Sequence, residues 1–201
     1  AEAARRVNEV TGELYAIIHF AGIYALDSFI EIETAQLERI FKINLFGAMF
    51  VNKIFAGFLK VGGRIVMTTS ELAALNPLPF TGIYAVTKAA LDKYAFSLAM
   101  EMQLIGVSVS VLRAGAVKTD MLGVSTSALD RFCQTTKLYK YNAARFKKIV
   151  DTVEAKCVPP EKIAEKTFKI LNKKTPRFAY SINRNPLLLL LNILPKGLQL
   201  K

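Results

Sequence analysis

Two short runs of the chain are apolar at nearly every position, Leu14–Phe20 (LYAIIHF) and Arg64–Thr69 (RIVMTT). A strand with one wet face alternates apolar and polar side chains. A strand apolar throughout is buried on both faces, which happens where helices cover both sides of a parallel sheet. The segments between fit that arrangement. Ala1–Val10 reads as the end of a helix. Thr34 caps a helix through about Leu59, with Glu38 in its early turns, and Gly62-Gly63 break it. After a loop holding Pro77, Pro79 and Gly82, a long helix spans Ile83–Leu104 and stops at Gly106. Val107–Leu112 is a third strand. Residues 124–156 read as one or two polar helices. Pro159-Pro160 precede a helix over Glu161–Leu171, and Arg177–Ile182 is a fourth strand. From Asn185 the chain is a Pro-bounded, Leu-rich tail. The expected fold is one α/β domain over residues 1–201, with a doubly wound parallel sheet.

With 52% hydrophobic residues in 201, the chain can bury a real core, which excludes a disordered segment. The net charge is +11, and residues 130–201 hold 16 of the 27 basic residues but only 5 of the 16 acidic ones. The whole excess therefore sits in the last third. Nucleic acid, a membrane surface and an anionic substrate are the partners such asymmetry suggests, beside the plainer reading of a solvated face. No nucleic-acid module or set of stacking aromatics accompanies the charge, so nucleic acid is set aside. Cys133 and Cys157 stand in no metal or redox spacing. They read as reduced and structural, which points to a cytoplasmic protein with no metal site. The charged opening Ala1–Asn8 is not the pattern of a signal peptide. The longest aliphatic run, Leu187–Leu191 with Ile193 and Leu194, falls short of the ~20 residues of a membrane span. Arg184 and Lys196 flank it, and Pro186 and Pro195 bracket it. Peripheral contact with a lipid surface through residues 185–201 is one reading; a substrate-pocket or dimer-packing segment is the other.

The chemistry begins with Tyr84 and Lys88, four residues apart on one face of a helix. A nearby ammonium is expected to lower a tyrosine pKa by stabilising the phenolate, and such a phenol moves protons. Seven Tyr and 18 Lys give about 0.6 such pairs by chance, so the pair alone says little. Its surroundings say more. Ser70 directly follows the second buried strand, and ligands of open α/β sheets bind beyond the carboxyl ends of the strands. Ala21-Gly22 end the first strand at the same rim, and Gly115 and Thr119 follow the third. Asn44 lies inside a helix, where a polar residue needs a reason.

Five segments in order, His19-Phe20-Ala21-Gly22, Asn44-Leu45-Phe46-Gly47, Thr69-Ser70, Tyr84-Ala85-Val86-Thr87-Lys88 and Arg113-Ala114-Gly115-Ala116-Val117-Lys118-Thr119, resemble the short-chain dehydrogenase/reductase family. The resemblance runs from about Ala1 to Ile182. It implies an NAD- or NADP-dependent oxidoreductase that interconverts a carbonyl and an alcohol. Tyr84 would be the general acid or base, and Lys88 would lower its pKa and hold the nicotinamide ribose. Ser70 would hold the substrate oxygen, and Asn44 would support a water relaying protons to Lys88. Ala21 and Gly22 would let the cofactor pack, and Gly115, Val117 and Thr119 would touch its nicotinamide end. Helices over 124–160 would form a substrate lid. The stretch from Pro176 to Pro195 loosely resembles members acting on steroids, retinoids and other lipids, implying an apolar substrate. The family pairs its subunits through the helices holding Asn44 and Tyr84, implying a homo-oligomer.

The chain also departs from that pattern. His19-Phe20 replace the usual Asn-Asn, which puts a brace of the sheet in question, and Ala114-Gly115 replace Pro-Gly. No Gly-x-x-x-Gly-x-Gly turn precedes Leu14. The strands, helices and loops that hold the pyrophosphate amount to roughly 70 further residues at average element lengths. The expectation is a C-terminal portion of a longer protein, in which Leu14–Phe20 is a bare sheet edge. The alternative function is a catalytically inactive remnant serving as an interaction or membrane-binding protein.

Overall fold

The computed structural model describes residues 2–152 and 156–200. Its centre is a parallel sheet of β1 (Leu14–His19), β2 (Leu59–Ser70), β3 (Ser108–Ala114) and β4 (Ala179–Ile182), in the order β1-β2-β3-β4. Ile17 is in register with Ile65, Ile65 with Val109, and Val111 with Ala179. The helices are α1 (Glu2–Val10), α2 (Thr34–Phe41), α3 (Gly47–Phe55), α4 (Gly82–Met102), α5 (Asp120–Thr135), α6 (Lys140–Thr152), α7 (Pro160–Leu171), α8 (Pro186–Ile193) and α9 (Lys196–Gln199).

Successive strand residues point to opposite faces. In β2 and β3 both faces are covered, but in β1 only Ile17 is buried and Tyr15 and Ile18 are exposed, so the apolar run Leu14–Phe20 is not buried on both faces as expected: it is the sheet's edge. Ile17, Ile65, Met67, Val109 and Val111 pack on Ala48 of α3 and on Leu91, Ala95 and Met102 of α4. Val66, Leu112 and Tyr180 pack on Ile163 and Ile170 of α7. Each wholly buried Ile, Leu or Met contributes about 2 kcal/mol of transfer free energy. The sheet is therefore doubly wound about its inner strands β2 and β3. A third cluster, with Leu26, Ala128, Leu129, Phe132, Ala143 and Phe146, ties α5 and α6 to the loop after β1.

Several boundaries differ from expectation. The helix beginning at Thr34 is not continuous: Lys42–Phe46 widens into a π turn before α3. Thr34 is the first helical residue rather than the cap, and Glu33 before it makes no side-chain cap bond. Gly62-Gly63 do not break a helix but lie inside β2, which starts at Leu59. They form an irregularity: Gly62 takes φ +85°, and a Cβ on Gly63 would stand 2.8 Å from the Lys60 carbonyl. The β1–β2 register slips at that point, between Leu14 and Ala16. The polar span over 124–156 is two helices, α5 and α6, starting earlier, at Asp120; residues 153–155 of it lie outside the described residues. The stretch Thr34–Phe58 is long and apolar enough to cross a bilayer. Two of its buried residues, Asn44 and Asn52, are hydrogen-bonded into the fold, which marks it as a helix of the α/β layer.

Candidate active site

β2 ends at Ser70, on the rim formed by the carboxyl ends of the strands. The Ser70 hydroxyl accepts the Leu72 N–H at 3.2 Å, capping the short turn Glu71–Ala73. It also works to lower the Tyr84 pKa, and it lines the same cavity. This serine thus caps the loop and faces the cavity at once. α4 re-enters the rim at Gly82, where a Cβ would stand 2.4 Å from the Phe29 ring. Two residues on, Tyr84 turns inward, and one turn later Lys88 follows on the same face. Lys88 Nζ donates to the Thr68 carbonyl at 3.2 Å and lies 5.7 Å from the Tyr84 ring centroid. Ser70, Tyr84 and Lys88 are all buried. They share the lining of a cavity of about 540 Å³ with Phe20, Tyr24, Val117, Met121 and Leu122.

Asn44 sits in the π turn, which shifts its side chain out of the ordinary helical register. Its Oδ1 accepts the Ile23 N–H at 2.8 Å, and its Nδ2 donates to the Ile23 carbonyl at 2.9 Å and to Thr87 Oγ1 at 3.1 Å. The side chain thus braces the loop after β1 against α4. Gly22 is held in the same knot: a Cβ there would stand 3.2 Å from Lys88 Nζ and 3.4 Å from Asn44 Oδ1. Ala21, beside it, is exposed and outside the cavity lining. His19 supplies a different brace. Its ring bonds Asn52 Oδ1 at 2.8 Å, and Asn52 Nδ2 donates to the Tyr94 hydroxyl at 3.2 Å, linking β1, α3 and α4.

The electrostatics reverse one expectation. Burial pushes the Tyr84 phenol up, from 10.0 to about 12, against the lowering effect of Ser70. Burial also pulls Lys88 down, from 10.5 to about 8. Helical spacing does bring the two together, but loss of water around both outweighs their proximity, because a low dielectric disfavours either charged form. At neutral pH the phenol keeps its proton and is a donor.

The other wall follows β3. The Gly115 N–H donates to the Ile182 carbonyl at 2.9 Å. Val117 bridges to Val158, and Thr119 stands at the cap position of α5 without a side-chain cap bond. Gly115, Val117 and Thr119 all line the cavity.

The sequence gives no sign of several other residues here. The Tyr24 ring packs 5.0 Å from that of Tyr84. Glu71 and Leu188 join the lining from a loop and from the tail. Asp92, one turn beyond Lys88, holds Arg113 through two bonds of 3.0 and 2.7 Å and accepts the Thr69 hydroxyl at 3.2 Å. Its four-residue step from Lys88 was a usable signal; the others follow no spacing.

A family model described as short chain dehydrogenase matches residues 1–130. Versicolorin reductase 1 of Dothistroma septosporum is 30% identical over 110 residues, covering 55% of this chain and 42% of that protein. An uncharacterised oxidoreductase of Escherichia coli is 35% identical over 108 residues, covering 53% and 40%. The chain thus spans less than half the length of these curated relatives. A short chain dehydrogenase from Burkholderia cenocepacia, solved in complex with NADP, superposes with a TM-score of 0.71 at 22% identity, covering 90% of this chain and 69% of that one. With the family model matched over more than half its residues, the chain belongs to the short-chain dehydrogenase family.

Proposed function

We propose that the protein is an NAD(P)-dependent oxidoreductase that interconverts a carbonyl and an alcohol on an apolar substrate. The observation that carries this reading is the burial of Ser70, Tyr84 and Lys88 together on the wall of a largely apolar cavity. Ser70 holds the substrate oxygen. Tyr84 hands its proton to that oxygen during reduction; a phenol that keeps its proton at neutral pH suits this direction. Asn44 acts as a positioning residue, through the Ile23 backbone and Thr87. The nicotinamide cofactor supplies the hydride. Lys88 would hold its ribose, Ala21 and Gly22 would leave room for it, and Gly115, Val117 and Thr119 would flank its reactive end. The bare backbone at Gly22 supports the fit, since a side chain there would crowd Lys88 Nζ. The reductase names among the relatives and the NADP-bound structure support it as well. α5 and α6 serve as the lid over the substrate, and the exposed outer faces of α3 and α4, with Phe50, Phe96 and Met100, as a self-association surface.

The test is Tyr84→Phe in the full-length protein. NADPH-dependent reduction of a long-chain ketone should fall a hundredfold or more, the usual range for a lost general acid. An unchanged rate would remove Tyr84 from the chemistry, and a parent rate no higher than background would leave the inactive-remnant reading standing instead.

A second reading concerns the tail. Leu187, Leu190, Ile193 and Leu194 form an exposed stripe along α8, close to Arg184 and Lys196. This favours contact with an anionic lipid surface. Co-sedimentation with phosphatidylserine vesicles tests it: equal binding after deletion of residues 185–201 would remove the tail from that role.

A further inference from the structure

Glu71 has no part in the chemistry above, yet it directly follows Ser70, lines the cavity and is only 7% exposed. A carboxylate withdrawn from water needs strong partners. Here Oε2 accepts the Asn185 N–H at 2.7 Å, and Arg184 adds a favourable charge. Asn185 is in turn the cap of α8: its Oδ1 accepts the Leu187 N–H at 2.9 Å and the Leu188 N–H at 3.5 Å. A short relay of bonds therefore runs from the serine loop into the first turn of α8. Leu188, in that turn, is the residue of α8 that lines the cavity.

The rest of the segment is fastened to the loop after β2 and to the one after β3. The Asn76 N–H donates to Asn192 Oδ1 at 2.6 Å, and Asn76 Nδ2 donates to Gln199 Oε1 at 2.8 Å. Asn183, in the left-handed region at φ 53°, donates from Nδ2 to the Ala116 carbonyl at 2.7 Å and to the Lys156 carbonyl at 2.6 Å. Its own carbonyl lies flush on Gly115, where a Cβ would stand 1.8 Å away.

We propose that Glu71 is a positioning residue that seats the C-terminal segment as a wall of the cavity, and that Leu188 on that wall limits the size of the apolar substrate. The second half rests on the reductase reading for its substrate class; the first half does not. A carboxylate or an amide oxygen accepts the Asn185 N–H equally by geometry, whereas an alkyl group leaves that N–H without a partner.

Hydrogen exchange on the full-length protein reads the seat. In Glu71→Leu the amides of 185–193 should exchange about tenfold faster, as for loss of a charge-assisted bond. Glu71→Gln should stay within about threefold of the parent. If Glu71→Leu does not fold, Asn185→Pro, which φ −76° accommodates, is compared with Asn185→Ala. Both lose the cap, but only the proline loses the N–H, and it should exchange faster. Unchanged exchange in Glu71→Leu, or no difference between the Asn185 pair, overturns the role of Glu71.

Displacement of anilinonaphthalene sulfonate by 2-alkanones, from 2-hexanone to 2-dodecanone, reads the wall without turnover. Leu188→Phe should weaken the longest ketone relative to the shortest by about tenfold, and Leu188→Ala should shift the preference the other way. Identical chain-length profiles in both variants overturn the assignment of Leu188. Should the parent show no NADPH-dependent reduction while these profiles shift, the reductase reading falls and the wall stands.

Discussion

Replacing Lys88 by methionine should make the protein more stable while disabling the proposed chemistry. Lys88 is buried, and burial alone lowers its pKa from 10.5 to about 8. Keeping the ammonium charged in that setting costs about 3 kcal/mol, at 1.36 kcal/mol per pH unit. Its hydrogen bond to the Thr68 carbonyl returns about 1 kcal/mol. The net gain on substitution is about 2 kcal/mol near pH 7, or roughly 4–8 °C in Tm for a chain of this size. The sign with pH follows from linkage. Below about pH 8 lysine is charged in both states and the penalty is complete. Between about 8 and 10.5 the unfolded chain binds the proton and the folded one does not, so stability rises with pH. Tyr84, raised from 10.0 to about 12, contributes the opposite slope above 10, so pH 8–10 is the window to read. Thermal unfolding followed by circular dichroism at pH 7 and at about pH 10 is the assay. The parent should gain stability across that window and Lys88→Met should not. A lower Tm for Lys88→Met, with the parent's pH slope retained, would refute the reasoning.

Other positions give sharper local tests. Gly115→Ala drives a Cβ into the Asn183 carbonyl and should cost about 3 kcal/mol, read by urea unfolding, as overpacking against backbone does. Asp92→Asn leaves the Arg113 guanidinium short of its bidentate partner; with both groups partly screened the loss should be about 2 kcal/mol by the same method. Phe50→Glu places a charge on the exposed face of α3 and should lower the association state seen by sedimentation velocity, with the circular dichroism spectrum unchanged.

The strands and the central trio were readable because their signals are local. A run such as Ile65–Thr69 betrays its own burial. Ser70, Tyr84 and Lys88 fall in one passage from β2 through a loop into α4, so spacing alone brings them to one rim. The π turn was not readable, because Asn44 reveals its reason only against the Ile23 backbone, 21 positions away. The direction of the Tyr84 shift was missed for a related cause. Helical spacing reports that an ammonium is near, whereas the dielectric around both groups depends on Tyr24, Phe20 and the tail, which distant segments deliver. Glu71 and Asn183 carried no pattern at all, since their partners are fixed only by the closed fold.

The bonds that seat the tail span 114, 116 and 123 positions, while the trio lies within a single strand–loop–helix passage. Closing such long loops is slow and comes at an entropic cost, so in folding the reactive centre takes shape before its outer wall. The order of assembly divides labour along the chain. On the proposed reading, the early passage would decide what reaction is done, and the late segment to what. On that reading, mutational drift in residues 183–200 would retune selectivity without rebuilding the chemistry.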